Sequence, residues 1–262
     1  MKKRDIGKNV YKSCCLCIAF AVGFVGLADT VKAGTLDVLY YNHFENASQR
    51  AGWSTQYLAL KERTNNWELQ AKYVPSSRGS ERITDEVNLS SKVRSATLNY
   101  DVRFHSKFEF VRTGKLHGLG GGSATTGCNA KTSRGWSARV IWDVNGVASI
   151  YVYHQNRVSS CGDRWTAQDF RFEAGKTYRV SLYVSLNSAP NVADGIIELY
   201  VDGVKIASAN GVRLSGRSDV KIDKFLFHTF HGGSNSSYSP TKNVFTYFDN
   251  FLIMEGKNIV ME

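Results

Sequence analysis

Proline, long helical periods and internal repeats are what this chain has little of. Only three prolines occur in 262 residues, no stretch keeps apolar positions at helical spacing for long, and no segment recurs at fixed length. These absences argue against a helical bundle and a solenoid. Several chemistries are missing too. There is no zinc-finger or RRM signature to read nucleic acid. The stretch GLGGGSATTG lacks the closing lysine of a phosphate loop. Ser137 lies in GWSAR and not in a G-x-S-x-G elbow. Glycoside hydrolysis needs two carboxylates across the bond, and the compact E-x-D-x-x-E run is nowhere in the chain. Asp143, Asp202 and Asp249 read as turn or strand-edge residues.

Cysteine is also scarce. Of five, Cys14, Cys15 and Cys17 lie in an N-terminal segment with a basic start (Lys2, Lys3, Arg4, Lys8, Lys12), an apolar run from Cys14 to Ala28, and Val31-Lys32-Ala33 before Gly34. That is the layout of a secretory signal, and the apolar run is shorter than the roughly 18 to 20 residues of a spanning helix. The expectation is a signal peptide over 1–33, a single domain over 34–262, a secreted or periplasmic monomer, and no membrane contact after cleavage. Cleavage would take six of 33 basic and two of 23 acidic residues, leaving 27 against 21 and a charge of +6. A basic exported protein suits an anionic polymer or surface. Cys128 and Cys161 then remain, and an oxidising compartment makes them a disulfide pair. Without CxxC spacing they make a poor zinc site. Six histidines are present, but His228 and His231 would point to opposite faces of a strand. No metal or other cofactor is expected.

What the chain does have is short alternating runs between turn signals, with 12% aromatic residues. Strands are expected over Leu36–Phe44, Trp67–Val74, Leu98–Phe104 continuing through Phe108 and Phe110, Tyr178–Leu186, Ile196–Val201 and Val204–Ala207 around a type I′ Asp202-Gly203 turn, Lys221–Phe230, and Phe245–Met254. A short helix is expected within Gln56–Asn65, and a surface excursion over Pro75–Ser91. The class this predicts is all-β: a two-sheet antiparallel β-sandwich, a concanavalin-like jelly roll.

The most informative stretch is Gly114–Tyr153. If Val144-Asn145-Gly146 is a three-residue loop with a G1 bulge at Gly146, Asp143 faces Val147, Arg139 faces Tyr151 and Ser137 faces Tyr153. One face then carries Ser137, Arg139, Tyr151 and Tyr153, while Trp136, Ala138, Val140 and Trp142 enter the core. A two-residue Asn145-Gly146 turn is the competing choice, and it would put the tyrosines opposite Arg139's face. His117 shares the face of Lys115 if that segment is extended, which makes it a candidate substrate contact.

The runs GKLHGLGGG, GWSARVIW, YVYHQN, FHTFHGG and YFDNFL, in this order, resemble polysaccharide lyase family fourteen, the alginate and glucuronan lyases, and more distantly family twenty. The resemblance implies a jelly roll and cleavage of a polyuronate by β-elimination. It implies catalytic roles for Lys115, Ser137, Arg139, Tyr151 and Tyr153; beside these, His117 and Gln155 are read as candidate substrate contacts. His117 departs from the family pattern. Elimination removes a C5 proton that is weakly acidic until the neighbouring carboxylate is neutralised, so cations, a base and an acid for the leaving O4 are required. Arg139 and Lys115 supply the charge. Cations beside Tyr151 would favour its phenolate and make it the base, with Tyr153 as acid or sugar contact and Ser137 as positioner. The alternative is a non-catalytic sandwich module that binds acidic polysaccharides, and a third reading is a basic surface-adhesion protein.

Overall fold

The computed structural model describes residues 37–261, so the signal read at 1–33 lies outside the described residues. The strands in order are β1 (Val38–Asn42), β2 (Leu58–Arg63), β3 (Asn66–Tyr73), β4 (Pro75–Ser76), β5 (Gly79–Ser80), β6 (Ile83–Val93), β7 (Ser95–Phe104) and β8 (Gly114–Gly122). They continue with β9 (Gly135–Trp142), β10 (Val147–Tyr153), β11 (Asp163–Arg171), β12 (Thr177–Ser185), β13 (Gly195–Val201), β14 (Val204–Val212), β15 (Ile222–His231) and β16 (Val244–Glu255). One α-helical turn, α1 (Ala47–Arg50), follows β1.

Alternation assembles these strands, apart from the small β4–β5 pair, into two large antiparallel sheets. One runs β14-β13-β12-β7-β16-β3-β2 with β1 added on β16, and the other runs β11-β10-β9-β8-β15-β6. Their facing sides share one aromatic-rich core, in which Trp136, Ala138, Val140 and Trp142 of β9 meet Leu98, Tyr100, Val102 and Phe104 of β7. The fold class is the expected two-sheet sandwich.

The hairpin β9–β10 takes the three-residue loop. Asp143 N–H donates to the Val147 carbonyl at 2.8 Å, and the ladder pairs Arg139 with Tyr151 and Ser137 with Tyr153. The turn differs from a plain type I in that Asn145 joins Gly146 at positive φ, 60° and 76°.

Three local expectations change. Gln56–Asn65 forms β2 and not a helix, because Thr64 and Asn65 both adopt left-handed φ, 48° and 62°, and fold Leu58–Arg63 back onto β3. The Pro75–Ser91 excursion instead leads into β6, an edge strand on which Glu86 and Lys92 face solvent, a common protection for a sheet edge. Phe108 and Phe110 leave the strand that ends at Phe104, and pack back on Phe104 at 4.8 Å each.

His117 is the largest correction. The β8–β9 register shifts between Lys115 and Gly118, so one extra residue fits between the rungs Lys115–Ile141 and Gly118–Arg139. The bulge breaks the two-residue alternation and turns His117 inward. It is fully buried, stacked 4.3 Å from Phe227 and edge-on to Phe248 at 4.4 Å. It cannot touch a polymer on the outer face.

His231 is also interior, stacked 5.3 Å from Phe108 and edge-on to Trp142. Burial pushes its imidazole down to about 4. An unfolded histidine titrates near 6.5. Native stability is therefore full above about pH 6.5 and drains as pH falls towards about 4, by roughly 3 kcal/mol for this residue alone. His231→Phe should flatten the decline in melting temperature between about pH 7 and 4; an unchanged slope would assign the acid sensitivity elsewhere.

Candidate active site

The outer face of the six-stranded sheet gathers its polar side chains where β8, β9, β10 and β15 run side by side. β9 and β10 contribute Ser137, Arg139, Tyr151 and Tyr153 through the register above. β8 contributes Lys115 from the lip of the bulge. Its glycines leave room for the neighbours: a Cβ on Gly118 would lie 2.6 Å from Arg139 Cγ.

Arg139 is the centre of the cluster and is only 3% exposed. Its Nη1 donates to His228 Nδ1 at 3.3 Å, and its guanidinium lies 5.6 and 5.5 Å from the Tyr151 and Tyr153 ring centres. Among the described residues neither Arg139 nor Lys115 forms an ion pair. Lys115 is half-buried, with Nζ 4.6 Å from the Tyr151 ring centre. Burial, then the charges of Arg139 and Arg164, push its amine down to about 7. Part of its population is neutral at physiological pH.

The tyrosines reverse one expectation. Burial pushes Tyr151 up to about 12, and this outweighs the cation beside it. Tyr151 is therefore a neutral phenol, able to give a proton and poorly able to take one. Its oxygen lies 3.3 Å from that of Tyr153. Each phenol also receives one backbone N–H: Gly162 to Tyr151 at 3.0 Å, Cys128 to Tyr153 at 2.9 Å. Cys128 and Cys161 are joined as a disulfide, as expected.

Ser137 is fully buried and donates to the Thr125 carbonyl at 2.6 Å, so its hydroxyl secures the loop above the sheet. Gln155 donates to the carbonyls of Leu214 and Gly135, at 3.0 and 3.3 Å, and ties the end of the face to a neighbouring loop. The structure thus unites Lys115, Arg139, Tyr151 and Tyr153, sets Ser137 beneath them, and removes His117.

Sequence reasoning missed His228, which burial and the Arg139 charge push down to about 3. It is a neutral acceptor that orients the guanidinium. Alternation in KFLFHTFH puts it on the face opposite His231, but nothing local says which face bears the cluster. Also missed was Arg164, paired across from Tyr151 and held by Asp143 at 2.6 Å. Beyond Lys115 an open cleft lined by Arg112, Thr113, Asp143, Val144, Arg164 and Tyr238 continues the face. No group of three or more potential metal ligands occurs among the described residues.

The chemistry available is that of a partly desolvated anion site with a proton acceptor on one side and proton donors on the other. The family profile described as polysaccharide lyase 14 matches residues 54–251. No curated protein sequence matches the chain significantly. Solved structures that share the fold include the following. A doubly substituted alginate lyase Aly36B in complex with alginate tetrasaccharide is 21% identical, with TM-score 0.70, covering 85% of this chain and 94% of its own. The marine alginate lyase from Aplysia kurodai is 23% identical, with TM-score 0.69, covering 86% and 100%. The endo-β-1,4-glucuronan lyase from the fungus Trichoderma reesei is 14% identical, with TM-score 0.57, covering 85% and 96%.

Gly118→Ala tests the packing beneath the cluster. Its methyl would meet the Ala138 carbonyl oxygen at 2.1 Å as well as Arg139. The expected cost is about 1–3 kcal/mol in denaturant unfolding, and an unchanged midpoint would show that the sheet yields there.

Proposed function

The chain belongs to the polysaccharide lyase 14 family, and from that premise we propose that it is a secreted lyase cleaving a polyuronate, alginate before glucuronan, by β-elimination. The observation that carries this reading is Arg139, a buried guanidinium with no anionic side chain to balance it. A buried cation of this kind is strongly favourable only when an anion arrives. The uronate carboxylate is such an anion, and alginate and glucuronan are what the structural relatives are named for cleaving.

Arg139 would neutralise the carboxylate beside C5, which acidifies the C5 proton. Neutral Lys115 takes that proton onto Nζ. The C5–H electron pair becomes the C4–C5 double bond, the C4–O4 bond breaks, and the leaving oxygen takes a proton from Tyr151. The Tyr151 phenolate formed faces the Gly162 N–H and the Tyr153 hydroxyl. Proton return from Lys115 through solvent resets the pair. Lys115 thus replaces Tyr151 as the base expected from sequence, because desolvation moves the two groups in opposite directions: amine down, phenol up.

The decisive assay follows new ultraviolet absorbance from unsaturated ends on polymannuronate, polyguluronate and glucuronan. Binding without absorbance on all three would make the protein a binding module. Three substitutions separate the roles. Lys115→Arg keeps the charge but cannot present a neutral amine, so turnover should fall about 10²–10⁴-fold with binding retained. Tyr151→Phe should likewise lose turnover more than binding. Arg139→Ala should damage both, since the carboxylate is held in ground and transition states alike. Full turnover in Lys115→Arg would return the base role to Tyr151.

The pH profile gives a separate check. The reactive amine is the deprotonated one, so kcat/KM should rise as pH increases through about 7. A profile falling across that range would contradict a lysine base.

A further inference from the structure

The two phenols are held from outside the sheet. Gly162 N–H reaches Tyr151 from the segment between β10 and β11, and Cys128 N–H reaches Tyr153 from the loop between β8 and β9. These donors belong to separate segments, and the Cys128–Cys161 bond, spanning 33 positions, joins them directly. One donor is the N–H of a bonded cysteine itself. The other is the N–H of the residue that follows its partner.

Hydrogen-bond capacity shows what this clamp does. A phenol oxygen carries one proton to give and lone pairs to accept. A backbone N–H on each oxygen occupies an accepting side, so the Tyr151 proton is left for Tyr153 or for a group in the groove, and the Tyr153 proton for Tyr151 or for the Cys128 sulfur at 3.8 Å. After Tyr151 gives up its proton, the same N–H stabilises the negative oxygen. Gly162 also lies flat against the ring, since a Cβ there would approach Tyr151 Cε2 and Cζ to 2.9 Å. Cys128 sits at φ 62°, a left-handed conformation that a non-glycine residue keeps only where its surroundings impose it. Anchors on the same loop are the Ser137–Thr125 bond and the Arg157 donation to the Asn129 carbonyl, both at its flanks.

We propose that the Cys128–Cys161 disulfide is a positioning device for catalysis, fixing the two N–H donors that aim the Tyr151 and Tyr153 hydroxyls, so that its reduction lowers turnover and leaves substrate affinity in place. This rests on the lyase reading above. Affinity stays because Arg139 is anchored by β9 and His228, away from either loop. Cys128 is exposed, so a soluble dithiol can reach the bond. Reduction transfers two electrons and two protons from the dithiol, which closes to its own disulfide and leaves two protein thiols.

The experiment compares oxidised protein, dithiol-reduced protein and the Cys128→Ser/Cys161→Ser variant on the best polyuronate, well below the melting temperature, with circular dichroism on each. The expected result is a fall in kcat of about tenfold or more, on the scale of losing an oriented backbone donor, with KM changed less than about twofold. Reoxidation should restore the reduced sample, and dithiol should not affect the double variant. Gly162→Ala keeps the disulfide but crowds the Tyr151 ring, and should show the same loss in kcat alone. If the double variant fails to fold, the reduced and reoxidised wild-type samples decide the matter. Unchanged kcat in reduced protein or in Gly162→Ala would overturn the proposal while leaving the lyase reading intact. Absence of unsaturated ends from the oxidised, unaltered protein would instead remove the lyase reading itself.

Discussion

Burying the Arg139 guanidinium costs solvation that nothing negative in its surroundings returns. The side chain is 3% exposed, it donates to a neutral imidazole, and two aromatic rings flank it. The surrounding sheet maintains this arrangement. Gly118 gives the side chain room, β15 supplies His228, and the β9–β10 register brings both tyrosines alongside. A carboxylate built into the protein would satisfy the charge and close the site. Among the described residues none does so, and in the proposed function that charge meets the incoming anion.

That one charge organises the acid–base chemistry around it. It helps burial lower both the amine of Lys115 and the imidazole of His228. At Tyr151 it pulls the other way from burial and loses. The same low-dielectric surroundings therefore hold a partly neutral amine 4.6 Å from the ring of a phenol that keeps its proton.

The bulge in β8 separates the polar face from the core. With regular alternation Lys115 and His117 would share a side; the extra residue sends Leu116 and His117 inward together and returns Gly118 to the face beneath Arg139. His117 then fills a slot lined by Tyr100, Phe225, Phe227, Phe248 and Phe251, drawn from both sheets. Small glycines and one bulge thus let a single strand serve a packed interior and an open groove.

The sequence alone determined the architecture and the hairpin. Alternation has a period of two, so the sides of Trp136, Ala138, Val140 and Trp142 against Ser137, Arg139, Tyr151 and Tyr153 followed once the turn was chosen; the sequence favoured Val144-Asn145-Gly146 over a two-residue Asn145-Gly146 turn, and the ladder bears that choice out. The pairing of Cys128 with Cys161 was likewise available from the count of cysteines outside the N-terminal segment and the expected export. Tertiary structure decided what local pattern does not encode. A bulge needs its partner strand, so the side of His117 was not written in GKLHG. Helix or strand at Gln56–Asn65 depended on β3 being there to pair with. The proton affinities of Lys115 and Tyr151 depended on desolvation by neighbours distant in sequence, and the membership of His228 and Gly162 in the cluster depended on which strands and loops came to lie together.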